Sequence, residues 1–374
     1  MGNRVTIQNI ADALGLSRNT VSKAINNTGV LADATREKIL LKAKEMGYKQ
    51  FSYLSLSDLQ IREEASGLPG NPSPAPPPQP ESRPEGGSIA LLTTRFLGGS
   101  HFAATMLDKV QRELIHFGYS LTVHRITEEN LSGNTLPATF SAADTKGIIC
   151  VEVFDCSYSH MLCELSIPIL FVDAPVNINS ALLKADRLLM DSRSNIWQLI
   201  SVLARNGSRK FGFIGDYMHC MSFFERHSAF LEACSMLGLD CDERYCVTES
   251  ATDIINFPDH YSYQDYLFQR FSTLEKLPDA FICANDFVAL DTIFTLRKIG
   301  IRVPEDVLVA GFDDSPESQL ISPALTTIHI HTQVMGLSAV WLLISRIREP
   351  QMHYRTVYSD TTLIWRDSTG QPEK

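Results

Sequence analysis

Near the start of the chain, Arg18, Asn19, Ser22, Lys23 and Asn26 recur at a spacing that sets them on one side of a short helix opening at Ser17. Each is a hydrogen-bond donor or acceptor without a core role. Arg and Lys match the acceptors of guanine in the major groove of DNA, and Asn matches adenine. In a helix-turn-helix, residues near the start of the second helix reach the bases, and here those are Arg18 and Asn19. An ordinary helical hairpin with a solvated polar face has the same periodicity, so spacing alone leaves both readings open.

Such a face must be held by a small core. Ile7, Ile10, Ala11 and Leu14 share one side of a first helix, which Thr6 can cap and Gly15 can end. Ser17 can cap the second helix, Leu16 and Val21 stand where a hydrophobic staple forms, and Val21, Ala24 and Ile25 face inward. Two helices this short bury too little surface alone. A third is predicted from Asp33 to Met46, with Ile39, Leu40, Ala43 and Met46 inward, Asp33 as cap and Gly47 as stop.

The residues Val5-Thr6-Ile7, Ile10-Ala11, Gly15-Leu16-Ser17, Thr20-Val21-Ser22-Lys23 and Ile25-Asn26, then Thr35-Arg36-Glu37-Lys38 and Gly47-Tyr48, carry a further signal. Together they closely resemble the headpiece of lactose-repressor (LacI-type) regulators. The resemblance implies that Arg18, Asn19 and Lys23 read operator bases, while Thr6, Ser17, Thr20, Ser22 and Asn26 grip phosphates. After Tyr48 the likeness breaks. Where the family has a hinge helix, this chain has Lys49–Leu56, and Leu54 or Leu56 is the candidate for a minor-groove wedge. A proline-rich stretch follows up to Gly87, with the composition of an extended spacer; a docking motif for a proline-recognising partner is the alternative.

From Ser88 onward, short apolar runs alternate with helical patterns: Ser88–Thr93, Leu121–Val123, Gly147–Val153, Pro168–Val172, Lys210–Ile214, Ala280–Cys283 and Val307–Ala310. Helices are predicted over Phe102–Phe117, Ser194–Arg205, Glu225–Leu237 and Asp286–Lys298. Nearly all-apolar strands between helices mean parallel sheets covered on both faces, with ligands beyond the strand C-termini.

This region again resembles the family, through Ile167-Pro168-Ile169, Val172-Asp173, Phe213-Ile214-Gly215, Arg226, Ala229-Phe230, Ala284-Asn285-Asp286, Val303-Pro304-Glu305-Asp306, Gly311-Phe312-Asp313-Asp314 and Leu325-Thr326-Thr327-Ile328. The fold class implied is α/β: an all-α helix-turn-helix headpiece at 1–50, a linker at 51–87, and two doubly wound parallel-sheet lobes of the type I periplasmic-binding-protein kind. The lobes take 88–186 plus 332–360 and 187–331 plus 361–374, with crossings near Asp186, His331 and Asp360. The implied effector contacts are Phe102, Asp173, Arg226, Asn285 and Asp313, with Tyr217, Phe223 and Phe224 as further aromatic candidates. Arg and Asn donate and Asp accepts, the mixture a polyhydroxylated ligand needs. Each also has a structural alternative, Asp173 and Asp313 as helix caps and the aromatics as core.

Charge is divided unevenly. The chain has a net charge of −10, yet its first fifty residues hold eight Lys and Arg against four acids, for +4. A basic head on an acidic body directs phosphate contact to one end. The eight cysteines all lie from Cys150 onward with no CxxC pair, which fits reduced thiols in the cytoplasm. No signal region or spanning run is present. The spacings of GxGxxG, Walker, GxSxG and HExxH motifs are missing, and Phe96–Ser100 matches none of them. His329 and His331 share a strand face, but two ligands without a third leave a metal unsupported, and no cofactor is expected. The expectation is a ligand-responsive regulator, not an enzyme: a homodimer binding operator DNA in the cytoplasm, controlled by a sugar or sugar phosphate. A sugar- or nucleotide-acting α/β enzyme with a regulatory head is the alternative.

Overall fold

The computed structural model describes residues 6–25, 86–94, 101–176, 182–248 and 260–370, with single positions between 35 and 46. The expected hinge, both candidate wedge leucines, the proline-rich spacer and Phe96–Ser100 lie outside the described residues. The chain divides into two units, Met1–Pro84 and Glu85–Lys374.

In the first unit, α1 (Ile7–Leu14) begins at Thr6. The Thr6 hydroxyl accepts from Asn9 N–H, and Thr6 N–H donates to the Asn9 side chain at 2.8 Å, a reciprocal box that satisfies two otherwise orphaned donors. Gly15 ends α1 at φ 65, a left-handed turn that any side chain would strain. Helix α2 (Arg18–Ile25) follows, with Ser17 Oγ accepting from Thr20 N–H at 3.0 Å. Ile10, Ala11, Val21, Ala24, Ile39 and Ala43 form the core, with Ile7, Leu14, Leu16 and Met46 packed against it. Thr35, Lys38, Ile39, Lys42 and Ala43 are helical, so the described positions of the third segment follow the expected element.

The described residues of the second unit form three sheets, two of them parallel and one a short antiparallel pair. The larger is parallel throughout, in the order β2 (Tyr119–Arg125), β1 (Gly87–Thr93), β3 (Thr145–Val151), β4 (Ile169–Val172), β5 (Asp186–Met190), β10 (Thr356–Ser359). Helices α3 (His101–His116) and α11 (Thr332–Arg348) pack together, and α11 lies against β3, β4 and β5. The smaller sheet runs β6 (Phe211–Ile214), β7 (Ala280–Cys283), β8 (Leu308–Ala310), also parallel. Two cores flank it, one under α6 (Ser194–Arg205) and α7 (Met221–Leu237), the other under α8 (His260–Ser272) and α9 (Asp286–Lys298). An antiparallel pair, β9 (Thr327–Ile330) with β11 (Thr361–Ile364), joins its rim through bridges at Thr326 and His329. Burial explains the strand composition: every residue of β4, β6 and β7 is buried, and each large aliphatic contributes about 1.5–3 kcal/mol when removed from water.

One boundary needs correcting. The first crossing was expected at Asp186, but β5 continues to Met190 inside the larger sheet, so the crossing falls after Met190. Asp186 opens β5 and is wholly buried, accepting hydrogen bonds from Arg346 at 2.9 Å and Arg355 at 2.8 Å. The charged start hid this strand from a search for apolar runs. At the other two expected crossings, His331 stands between β9 and α11 and Asp360 between β10 and β11.

Candidate nucleic-acid interface and effector cleft

Along α2 the inward positions Val21 and Ala24 are buried, while Arg18, Asn19 and Lys23 are exposed. Thr20 and Ser22 are half-buried at the helix flank. Three groups of the kind that read base edges therefore stand free on one face. Ser17 is exposed, and its hydroxyl is shared between the cap and Thr20 Oγ1 at 2.8 Å. Thr6 donates its hydroxyl proton to Asn9 Oδ1 at 2.7 Å, so its first duty is to hold the start of α1. Asn26 lies outside the described residues.

The second site lies at the C-terminal ends of the two sheets. Arg226, on α7, is 1% exposed. Its guanidinium lies 3.5 Å from the Phe312 ring centre and donates to the Ala284 carbonyl at 2.5 Å and to Met190 Sδ at 3.2 Å. One nitrogen lies 3.7 Å from Asp313, and Nε has no hydrogen-bond partner. Asp313 follows β8 at φ 118 and keeps a quarter of its side chain exposed. Burial pushes its carboxyl well above the usual carboxylate range; Arg226 pulls it back, and Asp286, Glu152 and Asp173 push it further up.

Asn285 caps α9, its side-chain oxygen accepting from Val288 N–H at 3.0 Å. Asp286 is closed off, held by Thr327 Oγ1 and by Ser315 N–H at 2.7 Å. Asp173 ends β4 and reaches across to α7, accepting from Ser222 Oγ at 2.6 Å, Ser222 N–H at 3.1 Å and Ala174 N–H at 2.8 Å. Phe102 sits in the first turn of α3, and its side chain lies outside the described residues. Arg226, Asp313 and Asp173 thus share one neighbourhood, with Asn285 beside Ala284 at its edge.

Among the other aromatics, Phe223 lies 5.3 Å from the Arg226 guanidinium, whereas Tyr217 stacks on His227 at 4.7 Å. Phe224 lies 6.3 Å from Tyr217. His329 bonds Asp314 at 2.9 Å, and its ring is 4.9 Å from that of His331. Among the described residues no cluster of three or more His, Cys, Asp or Glu could hold a metal.

Three participants escaped the sequence reading. Ser222 stands four residues before Arg226 on one helical face, a spacing that could have found it. Phe312, the platform under Arg226, reads as plain core. Glu225 accepts from the Tyr358 hydroxyl at 2.6 Å, tying α7 to β10, and nothing in the sequence pairs two residues so far apart.

Comparison with known proteins places this geometry in context. Residues 6–50 match the family model described as bacterial regulatory proteins, lacI family, and residues 200–369 match the periplasmic binding protein-like domain. The transcriptional repressor PurR of Haemophilus influenzae is 26% identical over 344 residues, covering 91% of each chain. Two solved structures share the fold. The transcriptional regulator CelR in complex with cellobiose has a TM-score of 0.64 and 22% identity, covering 98% of this chain and 100% of its own. The lac repressor dimer bound to operator and the anti-inducer ONPF has a TM-score of 0.57 and 17% identity, covering 98% and 99%.

Proposed function

The chain belongs to the lacI family of bacterial regulatory proteins, and from that premise we propose that it is a transcriptional repressor that reads operator bases with α2 and whose operator affinity is set by a sugar in the cleft between the lobes. The observation that carries the reading is the outward set of Arg18, Asn19 and Lys23, on a headpiece whose apolar residues turn inward. Ser17, Thr20, Ser22 and backbone N–H groups at the helix start supply phosphate contacts that fix register. Two copies of the chain present two such helices to the halves of a pseudo-palindromic operator.

In the cleft, Asp313 and Asn285 meet ligand hydroxyls, and Arg226 with its unused Nε supplies a donor. Switching needs a ligand that binds one lobe arrangement better than the other. The contacts that cross between lobes, Asp173 to Ser222, Arg226 to Met190 and Tyr358 to Glu225, are those such a ligand alters.

Gel-shift with duplex from the gene's own upstream region tests the reading. The wild-type chain binds, and Arg18→Ala and Lys23→Ala each weaken binding by at least about fivefold, the smaller end of what a base contact supplies. Unchanged binding in both variants sinks it.

A further inference from the structure

Helix α7 opens at Met221, and its first turn faces the lobe junction through Ser222. The N-terminus of a helix of 17 residues attracts negative charge through its dipole and its first N–H groups, of which that of Met221 is already bonded to the Ala174 carbonyl at 2.8 Å. That seat is filled by the chain itself. Asp173 comes from β4 in the opposite lobe and accepts from Ser222 N–H, Ser222 Oγ and Ala174 N–H. Its two oxygens thus receive two N–H groups and one hydroxyl. The backbone at Asp173 is held at φ 60, a strained conformation for a residue with a side chain. Arg226, one turn further along the same helix and 1% exposed, keeps its Nε without a partner while its other nitrogens donate to Ala284 and Met190.

We propose that Asp173 sets the charge class of the effector: by occupying the anion seat of α7 from the opposite lobe, it admits neutral polyhydroxylated ligands and turns away those bearing phosphate or carboxylate. The inference rests on the cleft being the effector site. An anionic group that takes the seat must expel Asp173 and break a bond between the lobes. Neutral hydroxyls reach Asp313 and Asn285 with that bond intact.

Thermal melting of the full chain tests this, with inorganic phosphate at about 10 mM against sodium chloride of equal ionic strength, since only a ligand of the folded state raises the midpoint. Asp173→Gly vacates the seat and suits the left-handed backbone. Phosphate leaves the wild type unchanged and raises Asp173→Gly by roughly 2 °C or more. The gain shrinks in Asp173→Gly/Ser222→Ala, which locates it at α7. Equal response of wild type and Asp173→Gly, whether both rise or neither does, overturns the proposal. Should Asp173→Gly fail to fold, Asp173→Asn takes its place: it keeps an acceptor for Ser222 N–H but removes the charge. A phosphate-induced rise in Asp173→Asn alone then supports the proposal, and a response equal to that of the wild type overturns it. A phosphate response in the wild type would remove the charge rule while leaving Arg18-dependent operator binding untouched, so the two failures are distinguishable.

Discussion

Arg18, Asn19 and Lys23 are all exposed. On the proposed reading Arg18 and Asn19, at the start of α2, meet base edges, so Arg18→Ala relaxes sequence preference at one position by about 1–3 kcal/mol. If Lys23 meets a phosphate instead, its loss weakens binding evenly across sequences and reduces the salt slope by about one; anisotropy titrations at several salt concentrations separate the two roles. Deeper in the molecule, the pairing of Asp186 with Arg346 and Arg355 decides stability. Burial works to raise the Asp186 carboxyl, but hydrogen bonds from Arg346 and Arg355 outweigh it and hold the group below its ordinary value. A carboxyl lowered by folding stabilises the fold above its unfolded value, near pH 4, and that contribution is lost as pH falls through the folded value. Asp186→Asn is therefore expected to cost about 3–5 kcal/mol at pH 7, because two arginines lose their counter-charge. Urea midpoints should show the gap from wild type narrowing below about pH 4.

Helix α7 and the turns at the ends of β6, β7 and β8 carry the cleft. Gly215 follows β6 at φ 138, and a Cβ there would collide with that of Ala284, whose carbonyl receives Arg226. Gly215→Ala is expected to destabilise the second unit by about 1–3 kcal/mol, read as a lower melting temperature, and to displace Arg226 enough to blunt any ligand response. The elements that proved legible share a cause. Helices α6 and α9 and strand β7 have the bounds read from sequence, because their apolar pattern is unbroken and Asn285 and Arg205 mark ends. Strand β5 was missed because its first two residues are Asp and Arg, and the acid is met only by arginines from the far end of the chain. Helix α11 was missed because it is buried along much of its surface and shows no polar stripe. Family likeness singled out Arg226 and Asp313, which the fold brings to 3.7 Å of each other. The bond from Asp173 to Ser222 was not legible, since it depends on how the lobes meet rather than on any local pattern.

Across the whole molecule, the charge imbalance between the first fifty residues and the rest favours approach to DNA by the head while the acidic body stays away. The parallel sheets and the three chain crossings near Met190, His331 and Asp360 give the second unit its two lobes. Contacts from Asp173, Met190 and Tyr358 in one lobe to α7 in the other allow a small ligand to bias their arrangement. No helix of the described residues is long and apolar enough to cross a membrane. The proposed base-reading role of α2 stands behind every functional statement about this chain, and fluorescence anisotropy of the full chain probes it most directly, on its own upstream duplex and on a scrambled duplex of equal composition. The wild type should prefer the upstream duplex by about a thousandfold or more. In Arg18→Ala/Asn19→Ala that preference should collapse while weak, salt-sensitive binding to both duplexes persists. An undiminished preference in the double variant would contradict the assignment of α2 to the major groove.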